Sequence, residues 1–303
     1  MRLEPCKRVI VNVASEVAQN HIFSFAAALS YYFLLALFPA LIALATFVGY
    51  LPFPHLFNTI ISTMAHVIPP QSMGLVRRVV ADVTSHTHGA LLSFGLLGTL
   101  WTCSSAFTTM IDALNVAYNV PETRPFWKIR LVAFELTFLI GFLVLISFAS
   151  LVVGPRFGRF LAAELDLSRA FAALWPLLQH ALAAILMVLA LEGLYFMAPN
   201  VKQNFLSSLP GAVFAVIGWI LLSDGLSLYF QKFEHLNKTY GVLGGGIALL
   251  VWLYWSGFII LVGAEINSEI ARERGTGRLA SREPAPDADL KEAAAAAGES
   301  GPA

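Results

Sequence analysis

Six apolar stretches, each long enough to cross a bilayer, leave this 303-residue chain few architectures to choose from. They lie near residues 25–50, 90–112, 131–153, 171–198, 206–230 and 242–265. A helix covers the hydrocarbon core with about 20 apolar residues. In lipid every backbone N–H and C=O must be satisfied inside the protein, and a helix does this within one segment. The expected fold class is therefore all-α, a polytopic membrane protein with six transmembrane helices. Composition agrees: 57% of residues are hydrophobic and 13% charged, against about 25% charged in soluble domains. The formal net charge is zero, so no basic field calls for nucleic acid. Cys6 and Cys103 lie far apart and form no CxxC pair, which argues against a disulfide framework or a zinc ribbon. The first apolar run is too long for a signal-peptide core and has no small-residue cleavage site after it, so it reads as a span.

Six spans place both termini on one side. Of the 19 Lys and Arg, the larger share falls at the N-terminus, in the second and fourth loops and in the tail. The positive-inside rule then puts both termini in the cytoplasm. Residues 1–24 read as a cytoplasmic amphipathic segment, 25–272 as the membrane domain and 273–303 as a disordered cytoplasmic tail. The first external loop, 51–89, is the longest. Ile60, Ile61, Met64, Val67 and Ile68 recur at helical spacing, as do Leu75, Val76, Val79, Val80 and Val83, with Pro69 and Pro70 between them. This predicts two short amphipathic helices at the membrane surface.

Several residues within the spans could carry chemistry. Pro39 removes a backbone hydrogen bond to Leu35 in the first span, so the opened face should turn toward other helices or a cavity. Tyr31 and Tyr32, about two turns before it, fit either an interfacial aromatic belt or the polar lining of a path. Intramembrane acids follow. Asp112, Glu135, Glu192 and Glu265 fall toward the cytoplasmic ends of spans, where Arg124, Lys128, Arg130 and Lys202 could neutralise them. Asp224 alone sits in the outer half. A charged Asp at a span's centre costs about 2.5–3.5 kcal/mol on insertion scales, so such groups face the bundle interior with a partner or a task. Gly211, Gly218 and Gly225 recur every seven residues, with Ala215 on the same face, as a close-packing stripe. Gly241, Gly244 and Gly245 open the last span as a hinge or a close crossing. His86 and His88 are a weak metal pair in a loop. There is no HExxH, GxSxG or Walker lysine, so no catalytic residue, metal or cofactor is assigned.

Three segments carry a resemblance. AAALSYYFLLALFP (26–39), ALNVAYNVPETRPFWKIRLVAFELT (113–137) and YGVLGGGIALLVWLYWSGFIILVGAEINSEI (240–270) occur in the expected order. Together they resemble the YihY/virulence factor BrkB family over about residues 10–272. The family implies a six-span bacterial inner-membrane protein. Some members carry an old label as a transfer-RNA-processing ribonuclease, for which this sequence offers no metal-ligand cluster and no basic groove. Others are linked to serum resistance, or to lipid or lipopolysaccharide export. Two readings follow. In the first, the protein is transporter- or flippase-like and moves a lipid or amphipathic solute. Tyr31, Tyr32 and Pro39 then line or gate a cavity, and Asp224 and Glu192 carry a proton or coupling ion. In the second, it is a non-transporting scaffold or envelope-assembly factor, with the acids as buried ion-pair partners. Membrane lipids are the expected partners in both, nucleic acid is not, and the oligomeric state stays open.

Overall fold

The computed structural model describes residues 3–49, 62, 73–74, 77–78, 89–164, 169–232 and 235–273. Apart from those isolated positions between 62 and 78, the predicted first-loop helices lie outside this set, as do His86, His88 and the tail beyond residue 273. Among the described residues the regular structure is helical, with no strand. The α-helices are α1 (Leu3–Gln19), α2 (Ile22–Gly49), α3 (Gly89–Ala117), α4 (Phe126–Glu164), α5 (Arg169–Met197), α6 (Leu209–Lys232) and α7 (His235–Ala271). A 3₁₀ turn, Phe205–Ser208, leads into α6.

Among the described residues, five helical stretches are long and apolar enough to cross a membrane: Ile22–Leu41, Phe126–Ala162, Leu174–Met197, Phe205–Tyr229 and Gly245–Ala271. The predicted second span, 90–112, lies within α3, Gly89–Ala117, which carries several hydroxyls. Those hydroxyls bond back to their own helix. Thr102 donates to the Gly98 carbonyl at 2.7 Å, Ser105 to Trp101 at 2.9 Å and Thr108 to Ser104 at 2.9 Å. Self-satisfaction of this kind lets Ser and Thr sit in an apolar setting without a second chain.

Backbone chemistry sets the ends. α3 stops because Asn119 takes a positive φ of 54°. The Val120 N–H then reaches the Asn115 carbonyl at 3.0 Å and the Asn119 N–H reaches Val116 at 2.9 Å. This is a Schellman cap with Asn in the left-handed position, a residue that tolerates it. His21, also at φ 54°, separates α1 from α2. α2 runs through Pro39. The opened face is covered by α3: a Cβ placed on Gly98 would lie 3.4 Å from the Pro39 Cβ.

α2 packs on α3 and α7, and α6 packs on α7. α4 and α5 form a hairpin that joins the rest through α3 and α6. The buried core gathers at the end of the bundle where α1 lies. It combines Val13 and Val17 of α1, Ile22 and Leu29 of α2, Met110 and Leu114 of α3, Leu136 of α4, Leu194 of α5, Ala212 of α6 and Leu261 of α7. The opposite end of the α4–α5 hairpin presents large exposed apolar side chains, including Val153, Phe157, Leu178 and Leu182.

Candidate functional site

Inside the α1 end lies a polar cluster with two halves. The first half locks two loops together. Arg124 is buried and makes a bidentate pair with Glu122, at 2.9 Å to Oε1 and 2.6 Å to Oε2. Its Nη2 also donates to the Ala198 carbonyl at 2.8 Å, reaching the end of α5. Asn115 donates to Glu122 at 2.6 Å and accepts the Asn200 backbone N–H at 2.7 Å. Asn200 in turn donates to Thr123 at 2.8 Å. Burial pushes the Glu122 carboxyl up, but the Arg124 hydrogen bonds and charge, with the Asn115 amide, outweigh it and hold the group below its ordinary value.

The second half lies where α5, α6 and α7 meet. Glu192 is 1% exposed, and neither carboxylate oxygen makes a well-formed hydrogen bond. The Ser208 backbone amide is directed at it. One turn on, Tyr195 is fully buried and donates to the Ile260 carbonyl at 2.6 Å. The Tyr118 hydroxyl faces Ser208 and Asn267. Burial pushes that phenol well up, so it remains a neutral donor. Asn267 accepts the Gly211 N–H at 2.7 Å. That amide belongs to the first turn of α6, whose N–H groups have no partner within their own helix, so α7 supplies the cap. The two backbones approach closely here. A Cβ on Gly211 would strike the Gly263 carbonyl and the Asn267 side chain, and one on Gly263 would meet the Tyr195 hydroxyl.

α1 closes the cluster from outside. Asn20 donates to buried Glu265 at 2.8 Å, and Asn12 donates to Glu269. Arg272 pairs with Glu16 at 2.9 Å and Glu269 at 3.3 Å. Burial raises the Glu16 carboxyl, and Arg272, Asn119 and Asn20 together bring it below its ordinary value.

The chain matches the family model described as Virulence factor BrkB over residues 13–288. It belongs to that family. It is 34% identical over 248 residues to a Bacillus subtilis protein named as ribonuclease-like, YfkH, covering 82% of this chain and 90% of the relative. A UPF0761 membrane protein of Photobacterium profundum is 28% identical over 272 residues, 88% of this chain and 82% of the relative. Another, of Rhodospirillum centenum, is 27% identical over 274 residues, 90% of this chain and 60% of that longer protein. No solved structure matches the chain. This is a membrane protein of the BrkB/UPF0761 family.

The segments that carried the BrkB resemblance supply most of this cluster. Asn115, Tyr118, Glu122 and Arg124 come from the second segment, and Gly263, Glu265 and Asn267 from the third. The residues singled out in sequence fall in different places. Glu192 and Glu265 lie inside the cluster. Tyr31 is 57% exposed and stacks edge-on with Tyr32, and Asp224 is exposed on α6, so neither Tyr31 nor Asp224 shares the buried setting of Glu192. Pro39 lies against α3. Asp112 and Glu135 are exposed. Arg124 takes Glu122 as its partner. Arg130 lies over the Trp101 ring at 4.5 Å and donates to Ser105 at 3.3 Å. Lys128 is partly buried and engaged. Gly211 and Gly218 face α7, Gly225 faces open space, and Gly245 is buried. The side-chain surroundings of Gly241 and Gly244 lie outside the described residues.

Sequence reasoning missed Asn115, Glu122, Asn200 and Asn267. The available signal was the resemblance itself, since Asn115, Glu122 and Asn267 lie in the segments that carry it. Among the described residues no three His, Cys, Asp or Glu gather as a metal site.

Proposed function

We propose that this BrkB-family protein is a six-span inner-membrane transporter of the flippase kind, moving a lipid or amphipathic solute. α3 is taken as the sixth span. The termini are placed in the cytoplasm by the Lys and Arg distribution, so the polar cluster lies at the cytoplasmic end. The observation that carries the reading is Glu192, a carboxyl group enclosed on an apolar helix with no well-formed hydrogen bond to either oxygen. An ionisable residue in such a place marks a substrate or ion path unless it has a structural partner. Glu192 is assigned the coupling proton or ion. Asp224, exposed toward the outer half, is assigned the other end of the path, with Tyr31, Tyr32 and Pro39 along it. The movement needs a gradient or is passive, because the sequence holds no ATP-binding motif.

A scaffold or envelope-assembly reading is favoured by a different observation. The α6–α7 crossing at Gly211 and Gly263 and the loop lock at Arg124 are closely bonded, which suits a rigid docking platform. The ribonuclease-like name of the Bacillus relative finds no residue set to attach to here. The test is lipid transbilayer movement in proteoliposomes, read with headgroup-labelled lipid and a membrane-impermeant quencher. Transport predicts movement well above empty vesicles, reduced at least tenfold by Glu192→Gln. Movement no faster than in empty vesicles, with the protein folded, hands the reading to the scaffold.

A further inference from the structure

The α4–α5 hairpin builds a second feature far from the polar cluster. Gly154 and Gly158 stand one turn apart on α4, and α5 lays a side chain across each. A Cβ on Gly154 would collide with Gln179, and one on Gly158 with the Trp175 ring. The Trp175 indole N–H donates to the Gly154 carbonyl at 2.7 Å and fixes that wall. Between the helices lies a cavity of about 390 Å³, within the range of small-ligand sites. Its rim residues Val153, Phe157, Leu178 and Leu182 are each about half exposed, so it opens on the outer face of the hairpin. Two polar groups line it, Ser150 and Gln179. The Ser150 Oγ and Gln179 Nε2 are buried and have no hydrogen-bond partner, and Gln179 as a whole is 6% exposed. A buried amide N–H left unpaired in an apolar setting costs free energy; the Gln179 amide lies over Gly154 at the cavity wall and meets an occupant by turning outward.

Depth and charge select the occupant. Exposed Trp127 marks the start of α4. Gly154 lies about 40 Å further along at 1.5 Å per residue, so the cavity sits where the hydrocarbon core of about 30 Å gives way to the opposite headgroup region. Arg156 and Arg159, both exposed, follow immediately. No charged side chain lines the cavity, which disfavours a phosphate or carboxylate inside it. An amide N–H and a hydroxyl are neutral donors and suit a carbonyl oxygen. The acyl ester of a bilayer lipid supplies such a carbonyl at this depth, with a hydrocarbon chain to fill the apolar rim.

We propose that the α4–α5 cavity binds one acyl chain of a diacyl membrane lipid, with the ester carbonyl accepting hydrogen bonds from Gln179 and Ser150. The proposal rests on membership of a membrane family and stands whether or not the chain moves lipid. It is tested on the full chain in nanodiscs of diacyl phosphatidylcholine containing a trace of the same lipid with a mid-chain diazirine. After illumination, adducts are mapped by mass spectrometry. Adducts should concentrate on 149–157 and 175–182 and fall at least threefold in Gln179→Leu. Unlabelled ester lipid should compete at least threefold better than its ether-linked analogue, which lacks the carbonyl. Adducts spread evenly over the exposed apolar faces of all spans, or equal competition by ester and ether lipids, would overturn it. Should Gln179→Leu fail to fold, Leu182→Trp fills the cavity from its rim. Undiminished adducts in that variant would also reject the site.

Discussion

The two ends of the α4–α5 hairpin solve the same problem with different chemistry. At the α1 end, directional bonds hold the loops: Arg124 alone joins Glu122 to the Ala198 carbonyl. At the other end the helices are held by small residues, with Gly154 and Gly158 taking Gln179 and Trp175, and Ser147 reaching the Ala183 carbonyl at 3.3 Å. The difference teaches where specificity resides. Lipid supplies no hydrophobic force between helices, so a membrane-embedded seam depends on close packing and can leave a space beside it. At the loop end polar pairs serve instead, with Glu122 and the Ala198 carbonyl both supplied to Arg124.

The largest expected effect is at the lock. Arg124→Ala leaves Glu122 half-buried without its cation and Ala198 without a donor. Breaking a buried pair by removing one partner costs about 3–5 kcal/mol, so the thermal midpoint in detergent should fall steeply and yield should drop. Arg124→Lys should recover only part of this, because an ammonium cannot make the two-pronged contact. A loss of less than about 1 kcal/mol, as for a surface pair, would show that the lock is decorative.

Next come the crossings. Gly211→Ala drives a Cβ into the Gly263 backbone, which cannot swing aside, and overpacking of this kind costs about 1–3 kcal/mol. Gly225→Ala, on the same stripe but facing open space, should cause no loss and should gain about 0.5–1 kcal/mol from helix propensity. Equal losses in the two variants would erase the distinction between them. Gly158→Ala should fall nearer the first, because the rigid Trp175 ring blocks it, and Gly154→Ala nearer the second, because the Gln179 amide can turn away.

The smallest effect concerns pH. Glu122 is held below its ordinary value of 4.5. A carboxylate lowered in the folded state contributes stability that is present above the unfolded value and lost as pH falls through the folded one. The wild type should therefore lose thermal stability progressively as pH drops below about 4.5. Arg124→Ala should show a shallower loss over the same window, and equal slopes would assign the acid sensitivity elsewhere.

Much of the fold was legible because apolar length is a local property. The predicted stretch 171–198 became α5, Arg169–Met197, and 25–50 became α2, Ile22–Gly49. α4 and α7 run past their apolar runs, to Glu164 and from His235, because a helix continues into polar sequence wherever nothing caps it. The apolar run 90–112 likewise falls within α3, Gly89–Ala117. Glu192 and Glu265 stood out as acids within apolar runs. Asn200 and Asn267 did not, because an Asn at a helix end resembles a solvated one until the partner, Asn115 or the Gly211 amide, arrives from elsewhere in the chain. Gln179 was equally silent, apart from the Gly154 and Gly158 spacing opposite it.

The most direct test of the central claim asks whether water ever reaches Glu192. With Cys6 and Cys103 replaced, a single cysteine is placed at Glu192 and, as a control, at Lys202, exposed in the loop between α5 and α6. Both are probed with membrane-impermeant thiol reagents from each side, in intact cells and inverted vesicles. Transport predicts labelling at Glu192→Cys from at least one side, slowed by a protecting lipid or amphipathic solute. If a folded Glu192→Cys protein remains unlabelled from both sides while Lys202→Cys reacts, Glu192 is a permanently enclosed structural group, and the transport account is contradicted.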